Sequence, residues 1–216
     1  LMTLLQSVIT KSLAAVAYTI DQSLRFNLAD SSYLSKTLGT GSRTTWTWSF
    51  WLKKSIPTGT GAEGAQPTII SGYRSGSSLD TINISGADGN SFSVNISGVK
   101  GMQKTSALPR DPSAWYHYVC TWDTTNVTAT DRIRIYINGE RITALATDTQ
   151  PAEDEVSNVG LSGTVMNIGQ QGDASQFGGM YLAEVVFTDG TAYSASDFGE
   201  TDEDTNQWKP KDVSGL

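Results

Sequence analysis

The stretch Trp115 to Glu140, WYHYVCTWDTTNVTATDRIRIYINGE, constrains the fold most. Trp115 to Trp122 is aromatic and β-favouring. Arg132-Ile133-Arg134-Ile135-Tyr136-Ile137 alternates basic and apolar residues, the period-2 pattern of a strand with one face buried. Asn138-Gly139 then suits a tight type I′ hairpin, and Glu140-Arg141-Ile142 begins the return strand. A chain holding this pair must build an antiparallel sheet around it.

Similar runs recur on both sides. Ser23 to Leu28 alternates and should open the sheet. Trp46, Trp48 and Phe50 share one face of a strand over 45–52, with Trp51 on the other; the first three read as core. Pro67 to Tyr73, Leu79 to Ile84, Ser91 to Ile96, Thr164 to Gly169 and Met180 to Phe187 read as further strands. Asp88-Gly89-Asn90 forms a hairpin connection. Thr58 to Gln66 and Gln170 to Gln176 read as loops, as does the acidic passage Thr147 to Asn158. Ser194 to Gly199 should make one helical turn, capped by Ser194. The 21 glycines among 216 residues fit short strands with many turns. The expectation is all-β: a two-sheet antiparallel jelly-roll sandwich over 21–199. A C-terminal tail, acidic and then Trp-Lys-Pro, occupies 200–216.

Residues 1–20 stand apart as a short helical or extended segment. Leu5, Val8, Ile9, Leu13 and Val16 recur at spacings of three and four. Such an apolar face packs on the sandwich or serves attachment and oligomerisation. The segment lacks the basic start of a signal peptide, and Lys11 interrupts it. The chain has no apolar run of membrane-spanning length, so no membrane insertion is expected. A net charge of −7 argues against nucleic acid as a partner. One cysteine and one histidine exclude an intramolecular disulfide and a Cys/His zinc site within one chain. Cys120, inside a strand, reads as a small core residue.

Three stretches together resemble the concanavalin A-like lectin/glucanase superfamily, in its laminin-G-like or pentraxin-like jelly-roll branch. They are Thr47-Trp48-Ser49-Phe50-Trp51-Leu52-Lys53, then Trp115 to Val119 with Arg134 to Gly139, and Asn167-Ile168-Gly169 with Phe177 to Val185. The span Ala183 to Gly190, with Asp197 to Asp202 and Trp208 to Lys211, resembles virion structural proteins of tailed bacteriophages. That second resemblance implies a virion location, as a capsid decoration protein, head fibre or tail fibre. Its partners would be other virion proteins and sister chains in a homo-oligomer.

The resemblance raises three kinds of site. A retaining glycosidase needs two carboxylates about 5 Å apart, supplied in the superfamily by an E-x-D-x-x-E signature. This chain lacks that signature and Glu184 stands alone, so it reads as a structural carboxylate bonded to loop amides and the chain as no enzyme. His117 reads as a satisfied strand histidine. Relatives often bind calcium through loop Asp, Asn and carbonyl oxygens; Asp88 with Asn90, Asp123 with Asp131, and Asp173, which Asp30 would join if the sandwich ends align, are the candidates here, although turn formation alone explains such residues. A host glycan would need exposed aromatics beside polar groups. Tyr73, Arg74, Trp122 and Tyr193 are the candidates for that.

Overall fold

Strands written as alternating sequence form because each can bury one face. The computed structural model describes residues 18–55, 68–74, 79–85, 91–96, 100–106, 109–172 and 176–216. The first strands are β1 (Leu24–Phe26), β2 (Leu34–Thr37), β3 (Thr45–Lys54), β4 (Thr68–Tyr73), β5 (Asp80–Ser85), β6 (Ser91–Ile96) and β7 (Gly101–Thr105). They are followed by β8 (Tyr116–Asp123), β9 (Ile133–Ile137), β10 (Glu140–Arg141), β11 (Leu145–Thr149), β12 (Val165–Ile168) and β13 (Met180–Asp189). A small separate hairpin, β14 (Gly199–Thr201) with β15 (Trp208–Pro210), closes the chain.

Two antiparallel sheets make the sandwich. One runs β1-β13-β3-β8-β9-β10, the other β11-β7-β6-β5-β4-β12-β2. Trp46, Trp48, Phe50 and Leu52 alternate along β3 into the space between them, and Tyr118, Cys120 and Trp122 do so along β8. Trp46 and Trp122 stack at 6.0 Å, and Phe92 from the facing sheet stacks on Tyr118 at 4.5 Å. Burying each such ring contributes roughly 2–3 kcal/mol. Cys120 is in this core, and burial pushes its thiol well above the ordinary range.

The hairpin has the expected form. Ile137 pairs with Glu140, and both intervening residues have positive φ, 48° at Asn138 and 85° at Gly139. Ser194 caps a single 3₁₀ turn, Ala195–Asp197, through a reciprocal capping box with Asp197.

One expectation is corrected. Residues 147–158 do not form an exposed loop throughout. β11 pairs with β7 as a sheet edge, and Ser157 and Asn158 are buried. The backbone amides of Asn158 and Val159 donate to the Asp80 carboxylate at 2.6 and 3.1 Å, which binds this passage to β5. β14 also spans positions 199 and 200, where the tail was expected to begin. Residues 191–213 do not trail away but cover the outer face of the six-stranded sheet. Thr47 donates to the carbonyl of Thr191, and Thr121 to that of Tyr193. Phe198 and Ala195 pack on Val119.

Candidate functional site

Trp115 lies one residue before β8, where the chain enters the six-stranded sheet. It is 36% exposed. A cleft of about 880 Å³ opens beside it, within the range of small-molecule sites. Trp51 from β3, Trp115, Tyr116 and Trp208 from β15 supply the aromatic lining. Asn138 and Glu140 from the hairpin, with Asn206 and Gln207 before β15, supply the polar lining. A second lobe of about 280 Å³ shares Trp51 and Trp115 and continues to Asp21, Gln22, Ser23 and Pro210.

Local geometry fixes these groups. Asn138 Oδ1 accepts the His117 backbone N–H at 2.8 Å, so the amide assignment is set and its NH2 faces elsewhere. The Trp208 ring fits between two glycines. A Cβ at Gly139 or at Gly199 would lie 2.5 Å from it. Gly139 therefore serves both the turn and the indole. Trp51 lines both lobes, and its buried indole N–H has no acceptor among the described residues.

Under the aromatic floor lies His117, 1% exposed and stacked between Trp51 at 4.9 Å and Trp208 at 6.0 Å. Trp208 Nε1–H donates to His117 Nδ1 at 3.0 Å. Since an indole only donates, Nδ1 is unprotonated and Nε2 carries the hydrogen. That Nε2–H meets Ser49 Oγ at 2.8 Å. The pair resembles a Ser–His dyad in its distance alone. A protonated Nε2 takes no proton from Ser49, no carboxylate among the described residues orients the ring, and Ser49 is 2% exposed. Burial holds the imidazole down to about 3, from 6.5. The histidine is thus satisfied, as expected, with partners on β3 and β15 that lie far from it in sequence.

The sites anticipated from sequence fall elsewhere. Trp122 is corrected as a glycan contact: it is 0% exposed, stacks on Trp46, and gives its N–H to the Arg43 carbonyl. Tyr193 is half-buried, edge-on to Phe198 at 5.8 Å under the C-terminal segment. Tyr73 ends β4 and packs closely on Gly172, with Arg74 exposed beside it; neither lines the cleft. Asp123 accepts from Thr125, and Asp131 pairs with Arg141 at 2.6 Å. Asp30 accepts from Asn27 at 2.6 Å. Among the described residues no group of three or more His, Cys, Asp or Glu is placed to hold a metal ion. Asp88, Asn90 and Asp173 lie outside the described residues, as do Leu5, Val8, Ile9, Leu13 and Val16.

Glu184 sits at a bulge in β13, between Ala183 and Val186, with φ of 46°. Its partner is the Tyr18 hydroxyl rather than the loop amides expected. Burial raises its carboxyl, the Tyr18 bond opposes that, and the charge of Asp212 adds to it. The same bond, more than burial, pushes Tyr18 up to about 12.

A family model described as the concanavalin A-like lectin/glucanases superfamily matches residues 28–197. The chain belongs to that superfamily. No curated protein matches it in sequence. Among solved structures it is similar to a heptameric SAP-like pentraxin from Limulus polyphemus, with 13% identity, 76% of this chain and 74% of that chain covered, and a TM-score of 0.53. It is also similar to the binding domain of botulinum neurotoxin serotype G, with 12% identity, 83% and 44% covered, and a TM-score of 0.50. The chain thus spans less than half of the toxin domain. At these identities the likeness establishes the lectin-like sandwich.

Proposed function

We propose that this chain is a non-enzymatic carbohydrate-binding domain and that its sugar site is the cleft around Trp115. The observation that carries the reading is one exposed tryptophan over a cleft floored by two more and rimmed by side-chain amides. A sugar ring offers an apolar C–H face and a fringe of hydroxyls. Flat aromatic faces bury the first, and amides and carboxylates bond the second. An array of mammalian and bacterial glycans, run with and without calcium, tests it. The wild-type chain binds at least one glycan. Trp115→Ala, at a surface position, weakens binding about tenfold or more while the fold is retained. A flat array under both conditions sinks the proposal.

A second reading places this domain on a virus particle. Its support is the resemblance of Ala183–Gly190, Asp197–Asp202 and Trp208–Lys211 to tailed-phage virion proteins. Residues 1–17 would then hold sister chains or a capsid neighbour. Deletion should stop at residue 17, because Tyr18 bonds Glu184. Light scattering of the full and shortened chains checks this: loss of an oligomer with the sandwich intact supports attachment, and an unchanged mass in both chains counts against it.

A further inference from the structure

Resting on the carbohydrate reading of the cleft, we infer its ligand class: an uncharged oligosaccharide that crosses Trp115, with sugars in both lobes, and not a sialylated or uronic-acid glycan. Three observations carry this.

The first is charge. Among the described residues each lobe is lined by one carboxylate, Glu140 in the larger and Asp21 in the smaller, and neither is lined by a lysine or arginine. Two of the neighbouring cations are engaged elsewhere. Lys209, beside Trp208, bridges Glu200 at 3.4 Å and Asp202 at 3.0 Å, and Arg141, beside Glu140, pairs with Asp131. Arg110 follows the lining residue Pro109 but is itself exposed and outside the lining. Recognition of a sugar carboxylate is normally the work of a bidentate arginine or a point-charge lysine. Here an acidic sugar would face carboxylates in a chain of net charge −7. A neutral sugar instead supplies hydroxyl donors to those oxygens.

The second is continuity. Trp51 and Trp115 line both lobes, so the two hollows adjoin at these aromatic rings. A single sugar would fill only one side. A chain of sugars buries both and meets the polar groups of Gln22 and Ser23 at one end and Asn206 and Gln207 at the other.

The third is an unused hydrogen-bonding group. The Asn138 NH2 makes no bond among the described residues, its Oδ1 being held by the His117 N–H. Such a donor on the rim matches a ring or hydroxyl oxygen of a sugar.

Calorimetry on the intact chain tests the inference with named probes: maltopentaose, cellopentaose, mannopentaose and laminaripentaose, their mono- and disaccharides, tri-galacturonate and sialyllactose. The expected result is binding of at least one neutral pentasaccharide, at least about tenfold tighter than its monosaccharide, lost in Trp115→Ala and kept in Trp115→Phe, which retains a ring. The acidic probes do not bind the wild type, and Glu140→Lys admits them. Binding of an acidic probe that is lost in Trp115→Ala overturns the ligand class and leaves the carbohydrate reading standing. Affinity that is full at the monosaccharide overturns the two-lobe arrangement. If no probe binds in a Trp115-dependent way, and the array is likewise flat, the inference and the reading on which it rests both fall.

Discussion

The six-stranded sheet has two covered faces, and they are covered in opposite ways. Its inner face presents Trp46, Phe50, Tyr118, Trp122 and Ile135 to the other sheet, and these pack on one another with polar atoms mostly at the rim. Its outer face presents Thr47, Ser49, His117 and Thr121 along with Trp51 and Val119. The C-terminal segment answers three of those polar groups, Thr191 and Tyr193 with carbonyls and Trp208 with an indole N–H, while Ser49 bonds His117 within the sheet. The inner face is held by area, the outer by matched hydrogen bonds and one inserted ring. The first resists change in size, whereas the second tolerates little change in shape or protonation. The cleft opens where the outer cover ends, which is why a tryptophan can be exposed there without exposing the core.

The largest expected effect breaks the inner face. Phe50 is fully buried and contacts the rings of Phe92 and Tyr118. Phe50→Ala should cost about 3–5 kcal/mol in urea unfolding, with every region destabilised together. A cost under about 1 kcal/mol would mean that the sandwich does not depend on this packing.

The outer face should fail differently. Gly199→Ala places a methyl 2.5 Å from the Trp208 ring, against an aromatic system held on its other side by Gly139. The ring must leave its slot, at about 1–3 kcal/mol. Hydrogen exchange should show residues 199–213 losing protection while β3 and β8 keep theirs. Uniform loss across both regions would mean that the cover and the core are one cooperative unit.

This contrast also explains what was legible in the sequence. The inner face was readable because alternation in β3, β8 and β9 is a local pattern. Asn138-Gly139 was readable because positive φ at both positions demands those residues. The outer cover was not. Trp208 stands in a polar, Gly- and Pro-flanked tail, and nothing local says that it reaches a histidine 91 positions away. Trp115 reads as part of the β-favouring run it opens, and nothing local marks it as standing at an entrance. Asp123 and Thr124 look like a loop, which draws Trp122 towards the surface in a sequence reading, although its indole alternates with Tyr118 and Cys120 into the core. β7 carries Gly101, Met102, Gln103 and Lys104, with too little apolar alternation to declare a strand. Its place follows from pairing with β6 and β11.

The smallest effect, that of Trp208→Phe, sharpens the comparison through pH. His117 is the sole histidine, so its ring signals are unambiguous by NMR. Its folded pKa of about 3 lies below the unfolded value of 6.5. A depressed pKa means that the neutral form is favoured by folding, so this contribution is complete above pH 6.5 and declines as pH falls towards 3. The slope is about 1.4 kcal/mol per pH unit over that window. Replacing the indole by Trp208→Phe removes the donor to Nδ1 and should cost about 1 kcal/mol at pH 7. It should also raise the histidine pKa, since protonating Nδ1 then breaks no hydrogen bond. Stability below pH 6.5 should accordingly fall less steeply in the variant than in the wild type. An unchanged titration in Trp208→Phe would mean that desolvation by Trp51 and the sheet alone keeps His117 neutral, and that the C-terminal segment covers the outer face without setting its chemistry.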